Sequence, residues 1–262
     1  DVLTTPVFDA IREFQAKGGI VIADEFLVPG IVPDILVKAY TRPSEADKAK
    51  AELQALGLDL RRQLDPHYTA YTDASNPDLV TRVRTYGKAD YLFVINDKRT
   101  YGDYLGPWKL TMEKGLPNSG TVTVRRGNTK AAYDLVAHRP VPFTCKRGVT
   151  TLDVDFTTND GLAILLLDQP LPKLKAAWAA DKTVQITMGS TRKNASTALY
   201  PIRIDVLDPA GNVMDGSGHA CAVDGQFLFP VEMALNDQPG NWKVRVTELA
   251  SGQQVELPFT VP

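Results

Sequence analysis

Three aromatic side chains within eight residues, Tyr101, Tyr104 and Trp108, form the best functional candidate in the chain. Lys98, Arg99 and Asp103 stand beside them. Aromatic faces stack on sugar rings while placed polar groups bond the hydroxyls, the general pattern of a ligand site. The same rings suit two other roles. They can bury over an open sheet edge, because large aromatics tend to pack, or they can meet another domain or subunit. Asp90, Asp97 and Asp103 bracket this stretch with the oxygen donors that calcium takes, but without EF-hand spacing.

Other reactive residue types are scattered. Asp24 and Glu25 follow an apolar run, and ligands bind beyond the carboxyl ends of strands in open α/β sheets. Neighbours in an extended chain point to opposite faces, however, so these two acids do not act together. His67, His138 and His219 share no metal-ligand spacing. His219 and Cys221 fall on one strand face, but no further ligands are identifiable. Ala220, Ala222 and Val223 mark that strand as core rather than as the accessible, electropositive setting of a catalytic thiol. Cys145 and Cys221 lie 76 positions apart (221 − 145), which is neither a disulfide framework nor a zinc motif. Two buried free thiols are expected, and a bridge would need Cα atoms within about 7 Å. Gly216-Ser217-Gly218 lacks the nucleophile-elbow spacing, and no dinucleotide or phosphate loop occurs. No catalytic residue, metal site or cofactor is predicted.

The elements that must position these residues divide into three stretches. Pro6 suits the first position of a helix with Thr5 as its expected N-cap; Val7, Ile11 and Phe14 share one face, and Gly18-Gly19 stops it. Ile20 to Ala23 is apolar on both faces, as in a parallel strand covered on both sides. A second helix is expected from about Ser44 to Leu56, with a Ser44/Asp47 capping box, a stripe of Ala46, Ala49, Leu53 and Leu56, and Gly57 as its end. Residues 58–75 read as irregular. Asn76-Pro77 begins a third short helix, Asp78 to Arg84, with Leu79, Val80 and Val83 inward.

From Asp90 the period becomes two. Strands are expected at Tyr91–Asn96, Thr121–Val124, Ala132–Val136, Thr151–Phe156 and Gly161–Leu167, with a long connection between Asn96 and Thr121. Pro170-Leu171-Pro172 ends this series. A second set of strands follows at Thr183–Met188, Ile202–Val206, Gln226–Val231, Asn241–Val246 and Val255–Val261. Asp208-Pro209-Ala210-Gly211-Asn212 and Pro239-Gly240 are turns of defined chemistry. Short strands with regular turns over about 90 residues indicate an Ig-like sandwich.

The net charge of −2 offers no field for nucleic acid or an anionic membrane. No apolar run reaches the roughly 18 residues of a membrane span. The chain opens Asp1-Val2-Leu3, which reads as a processed protein or a piece of a longer one.

The strand ending in Asn96, the Tyr133-Asp134-Leu135 strand and the Asn159-Asp160-Gly161 turn resemble the β-sandwich that follows the barrel in many multidomain glycoside hydrolases. Phe8 to Glu25 is similar to the tail of a glutamine-amidotransferase-like domain, such as stands between barrel and sandwich in β-galactosidases that trimerise. Residues 199–262, with Asp208-Pro209-Ala210-Gly211 and Pro239-Gly240-Asn241-Trp242, resemble a macroglobulin or Ig-like module. The barrel of those enzymes is missing from the sequence. The resemblance therefore implies an accessory region, in a secreted or periplasmic setting, and not an activity.

The expected fold is mainly β: two antiparallel β-sandwich domains, 85–172 and 173–262, preceded by a small helical or α/β segment, 1–84. The expected role is a non-catalytic structural or interaction region of a larger carbohydrate-active protein. Alternatives are a carbohydrate-binding module using Tyr101, Asp103, Tyr104 and Trp108, or a hydrolase with an unrecognised site. Expected partners are other domains of the same polypeptide, a polysaccharide at the aromatic loop, and further copies of the chain at open strand edges.

Overall fold

The structure is a computed structural model that describes residues 3–27, 29–41, 43, 46–101, 113–158, 160–179, 182–189 and 197–262. The chain is mainly β. It forms two compact units, Asp1–Ala70 and Tyr71–Pro262.

The first unit holds two helices and a small parallel sheet. Helix α1, Thr5–Ala16, takes Thr4 rather than Thr5 as its N-cap, with Pro6 in the first turn. Gly18 stops it at φ +89°, a conformation that favours glycine. The Phe14 ring lies against Gly19, where a Cβ would come within 2.3 Å of it. Strands β1, Ile22–Ala23, and β2, Ile35–Leu36, pair in parallel. The Asp34 carboxylate accepts the Val21 N–H at 2.8 Å and the Gln15 side-chain amide at 2.9 Å, tying helix to strand. Parallel pairing agrees with the apolar run, but burial does not. Only two residues pair on each strand, and Ile22 stays 39% exposed, so this strand is not covered on both sides.

Helix α2, Ala46–Leu64, runs through Gly57 instead of ending there. One glycine costs about 1 kcal/mol in a helix interior. The helix-favouring residues beyond it offset that, with Asp59 accepting from Arg62 at 3.1 Å and from Gln63 at 3.0 Å. Ser44 of the expected capping box lies outside the described residues.

The second unit begins with strands β3, Thr72–Ala74, and β4, Leu79–Tyr86. Residues 78–84 are therefore not a helix. Leu79, Val80 and Val83 fit either period, and the choice falls to strand because the whole of β4 pairs with β5, Ala89–Asn96. Both strands precede or cross the boundary expected at residue 84, and both belong to the sheets of the first sandwich. There follow β6, Arg99–Tyr101; β7, Glu113–Gly115; β8, Asn118–Val124; β9, Ala131–Asp134; β10, Arg139–Pro140; β11, Thr144–Lys146; β12, Val149–Phe156; and β13, Gly161–Leu167. A five-stranded sheet, β10-β9-β13-β5-β4, faces a four-stranded one, β11-β12-β8-β3. Leu92, Val94, Ile164 and Leu166 from the first meet Val122, Val124, Leu152 and Val154 from the second in one core. Gly120 lets these layers close, because a Cβ there would meet Leu79 at 2.7 Å.

The last strands are β14, Leu174–Trp178; β15, Thr183–Met188; β16, Leu199–Leu207; β17, Gly218–Val223; β18, Gln226–Pro230; β19, Gly240–Glu248; and β20, Gln254–Val261. They form one antiparallel sheet in the order β14-β15-β18-β17-β16-β19-β20. It curls until β14 and β20 approach each other, although no backbone ladder joins them. Side chains bridge the seam instead. The Trp178 indole donates to the Pro258 carbonyl at 3.2 Å, and the Leu174 N–H donates to Gln253 Oε1 at 3.2 Å.

The two β domains share a second core. Ala89, Tyr91, Leu165 and Leu167 point away from the first core and pack with Val184, Ile186, Tyr200 and Ile202. The central strands of the five-stranded sheet are thus covered on both faces, which is why Ile164 to Leu167 are all 0% exposed and why that stretch has no polar alternation. The Tyr91 hydroxyl donates to the Leu199 carbonyl and accepts the Leu199 N–H at 2.7 Å.

Candidate functional site

Of the aromatic group, the structure describes only the backbone of Tyr101, at the end of β6. Asp103, Tyr104, Trp108 and the Tyr101 side chain lie outside the described residues. The described residues on either side of this stretch, β6 and β7, pair as a two-stranded ribbon. Asn96 fixes the base of that ribbon. Its amide donates to the carbonyls of Leu116 at 2.8 Å and Thr157 at 2.9 Å, and its Oδ1 accepts the Lys98 N–H at 3.0 Å. Asparagine suits this position because one short side chain satisfies three backbone groups that the sheet ladder leaves unpaired.

The two described carboxylates of this region, Asp90 and Asp97, serve structure. Asp97 pairs with Arg99 at 3.5 Å on the surface. Asp90 is fully buried in β5, where it accepts from the Tyr71 hydroxyl at 2.6 Å, Thr85 Oγ1 at 2.7 Å and the Arg126 guanidinium at 3.1 Å. Arg126 also donates to the Lys88 carbonyl. Its own carbonyl accepts Thr150 Oγ1 at 2.6 Å. Burial, then the hydrogen bond to Asp90, pushes the Tyr71 phenol up to about 12, so it stays a neutral donor. Asp90 is thus engaged in an ion-pair network rather than offered to calcium.

The remaining candidates are also dispersed. Asp24 accepts the Phe26 N–H at 2.9 Å, and Glu25 accepts the Ala39 N–H at 2.9 Å. Backbone N–H groups, its own and that of Ala39, hold the Glu25 carboxyl below the usual range. The two acids have separate partners and form no dyad. His219 and Cys221 do share the outer face of β17, with Ala222 inward. Both cysteines are free, but Cys145 is only half-buried and Cys221 is exposed, contrary to the expected two buried thiols. A strand that alternates faces puts Cys221 outside because Ala222 is inside. Among the described residues, no group of three or more His, Cys, Asp or Glu is arranged to hold a metal.

Two surfaces stand out that the sequence left unmarked. The outer face of the five-stranded sheet is covered at Tyr91 and Leu165 but continues, uncovered, through Val80, Phe93 and Ile95. Arg82 and Arg84 share that exposed side of β4, with no ion pair among the described residues. The second surface lies at the β14–β20 seam. Trp178 there meets Phe259 edge-on, with ring centroids 5.5 Å apart and planes at 71°. Phe259 in turn lies over the buried Trp242, with centroids 6.2 Å apart. The residues of each surface come from different strands, so no local spacing signals them.

No protein-family model matches this chain. No curated protein matches it either. The assignment of a role therefore rests on the residues and their arrangement.

Proposed function

We propose that this chain is a non-catalytic structural and interaction region of a larger carbohydrate-active protein, one that holds neighbouring domains in a fixed relation. One observation carries the reading: the two β domains share the core built on Tyr91, Leu165 and Leu167, so residues 71–262 form one compact piece. A spacer needs that stiffness, and a jointed linker lacks it. The uncovered half of the same sheet, Val80, Phe93 and Ile95 beside Arg82 and Arg84, supplies a docking face for another domain. The resemblance to glycoside-hydrolase accessory sandwiches supports the carbohydrate-active context and a secreted or periplasmic setting. It also supports reading the seven-stranded domain as an Ig- or macroglobulin-like module.

The test is to incubate the chain with a broad panel of glycosides and insoluble polysaccharides. The expected outcome is neither turnover nor retention. Turnover that disappears on one carboxylate substitution would make the chain a hydrolase and end this reading.

A second reading, a carbohydrate-binding module at residues 97–108, is supported by the ribbon β6–β7, whose base Asn96 makes rigid. It predicts retention on polysaccharide that Tyr104→Ala or Trp108→Ala abolishes.

A further inference from the structure

The seam between β14 and β20 widens into a groove of about 390 Å³. Small-molecule sites fall at about 300–1,000 Å³, with mostly apolar walls and a few polar groups. Val231 is buried and Met233 and Phe259 half-buried, so these three make the floor. Trp178, Pro258 and Lys182 are exposed and make the rim. We propose that this groove binds a small aromatic monocarboxylate, its ring against Trp178 and its carboxylate facing Lys182.

Three observations carry this. The indole is already held, by its bond to the Pro258 carbonyl and its edge-on contact with Phe259, so binding a ring costs little further side-chain freedom. Among the described residues, Lys182 is the one ionisable side chain lining the groove, and it has no ion pair with any of them. A groove whose described lining is mostly apolar, with the Thr260 hydroxyl and one cationic side chain, selects an apolar body bearing one negative charge. The Lys182 backbone sits at φ +54°, in the left-handed region that glycine or asparagine fills most readily. The Val231 N–H donates to its carbonyl at 3.0 Å and anchors it beside the floor. The inference does not depend on the accessory-region reading, because an enzyme or a binding module could carry the same groove.

The test uses the whole chain with two probes of one shape, 2-naphthoate and neutral 2-naphthamide. The Trp178 indole N–H resonance is followed by NMR during titration. Naphthoate is expected to shift it and to bind about three- to fivefold tighter than the amide, the range of one exposed ion pair. Lys182→Gln should erase that preference while leaving amide binding in place. Trp178→Ala should weaken both probes at least about tenfold. Equal affinity of the two probes, a preference that survives Lys182→Gln, or shifts confined to residues away from the groove would each overturn the proposal. Lys182 is a surface residue, so its variant decides the matter even if Trp178→Ala does not fold.

Discussion

Residues 1–70 and 71–262 solve the problem of burial in opposite ways. In the first stretch, among the described residues, only Ile31, Ile35 and Ala49 are buried hydrophobics, while Phe14, Phe26, Val32, Leu36 and Leu58 stay exposed. In the second, β13 alone contributes four consecutive fully buried side chains to two cores. The first stretch is held by polar ties such as Asp34 to Val21 and Gln15, the second by layered apolar packing. Stability should therefore be unevenly distributed, with local opening concentrated before residue 71.

The sharpest way to break this contrast is to attack the polar network of the well-packed unit. Asp90→Ala leaves Arg126 buried without its charge partner, and should cost about 3–5 kcal/mol in urea unfolding of residues 71–262. A loss under about 1 kcal/mol would mean that the pair is solvated. Next in size is a matched pair of truncations. Leu166→Ala should cost about 3 kcal/mol, whereas Leu58→Ala, on the exposed face of α2, should stay within about 0.5 kcal/mol. Equal losses would abolish the distinction between the two regions.

The smallest effect is a titration. The Val21 N–H, then the Gln15 amide, holds the Asp34 carboxyl below its ordinary value of 3.8. A carboxylate with a depressed folded pKa stabilises the fold above the unfolded pKa, and that contribution disappears as pH falls through the folded value. The Val21 amide resonance should accordingly move with a midpoint below 3.8, and Asp34→Asn should abolish the movement. A midpoint at or above the ordinary value would show that this tie does not persist in solution.

Much of the β architecture was legible from the residues. Thr151–Phe156 alternates because β12 buries only one face, and Leu162–Leu167 does not alternate because β13 is buried on both. Residues 79–83 misled because Leu79, Val80 and Val83 satisfy helical spacing as well as strand spacing, and only the partner strand β5 arbitrates. Gly57 misled because a single unfavourable residue is weaker than the helix on either side of it. Sites assembled across strands were not legible at all. Asp90 meets Arg126 across 36 positions, and Trp178 meets Phe259 across 81 (259 − 178), distances over which no local pattern operates.

The curled sheet of the last domain has seven strands, each antiparallel to its neighbour. Alternation around an odd ring cannot be satisfied everywhere: six reversals return β20 to the direction of β14. The ring therefore carries one mismatched join by arithmetic, and Pro258, which has no N–H to offer, sits on it. Under load or heat, this is the line along which the ring should unzip.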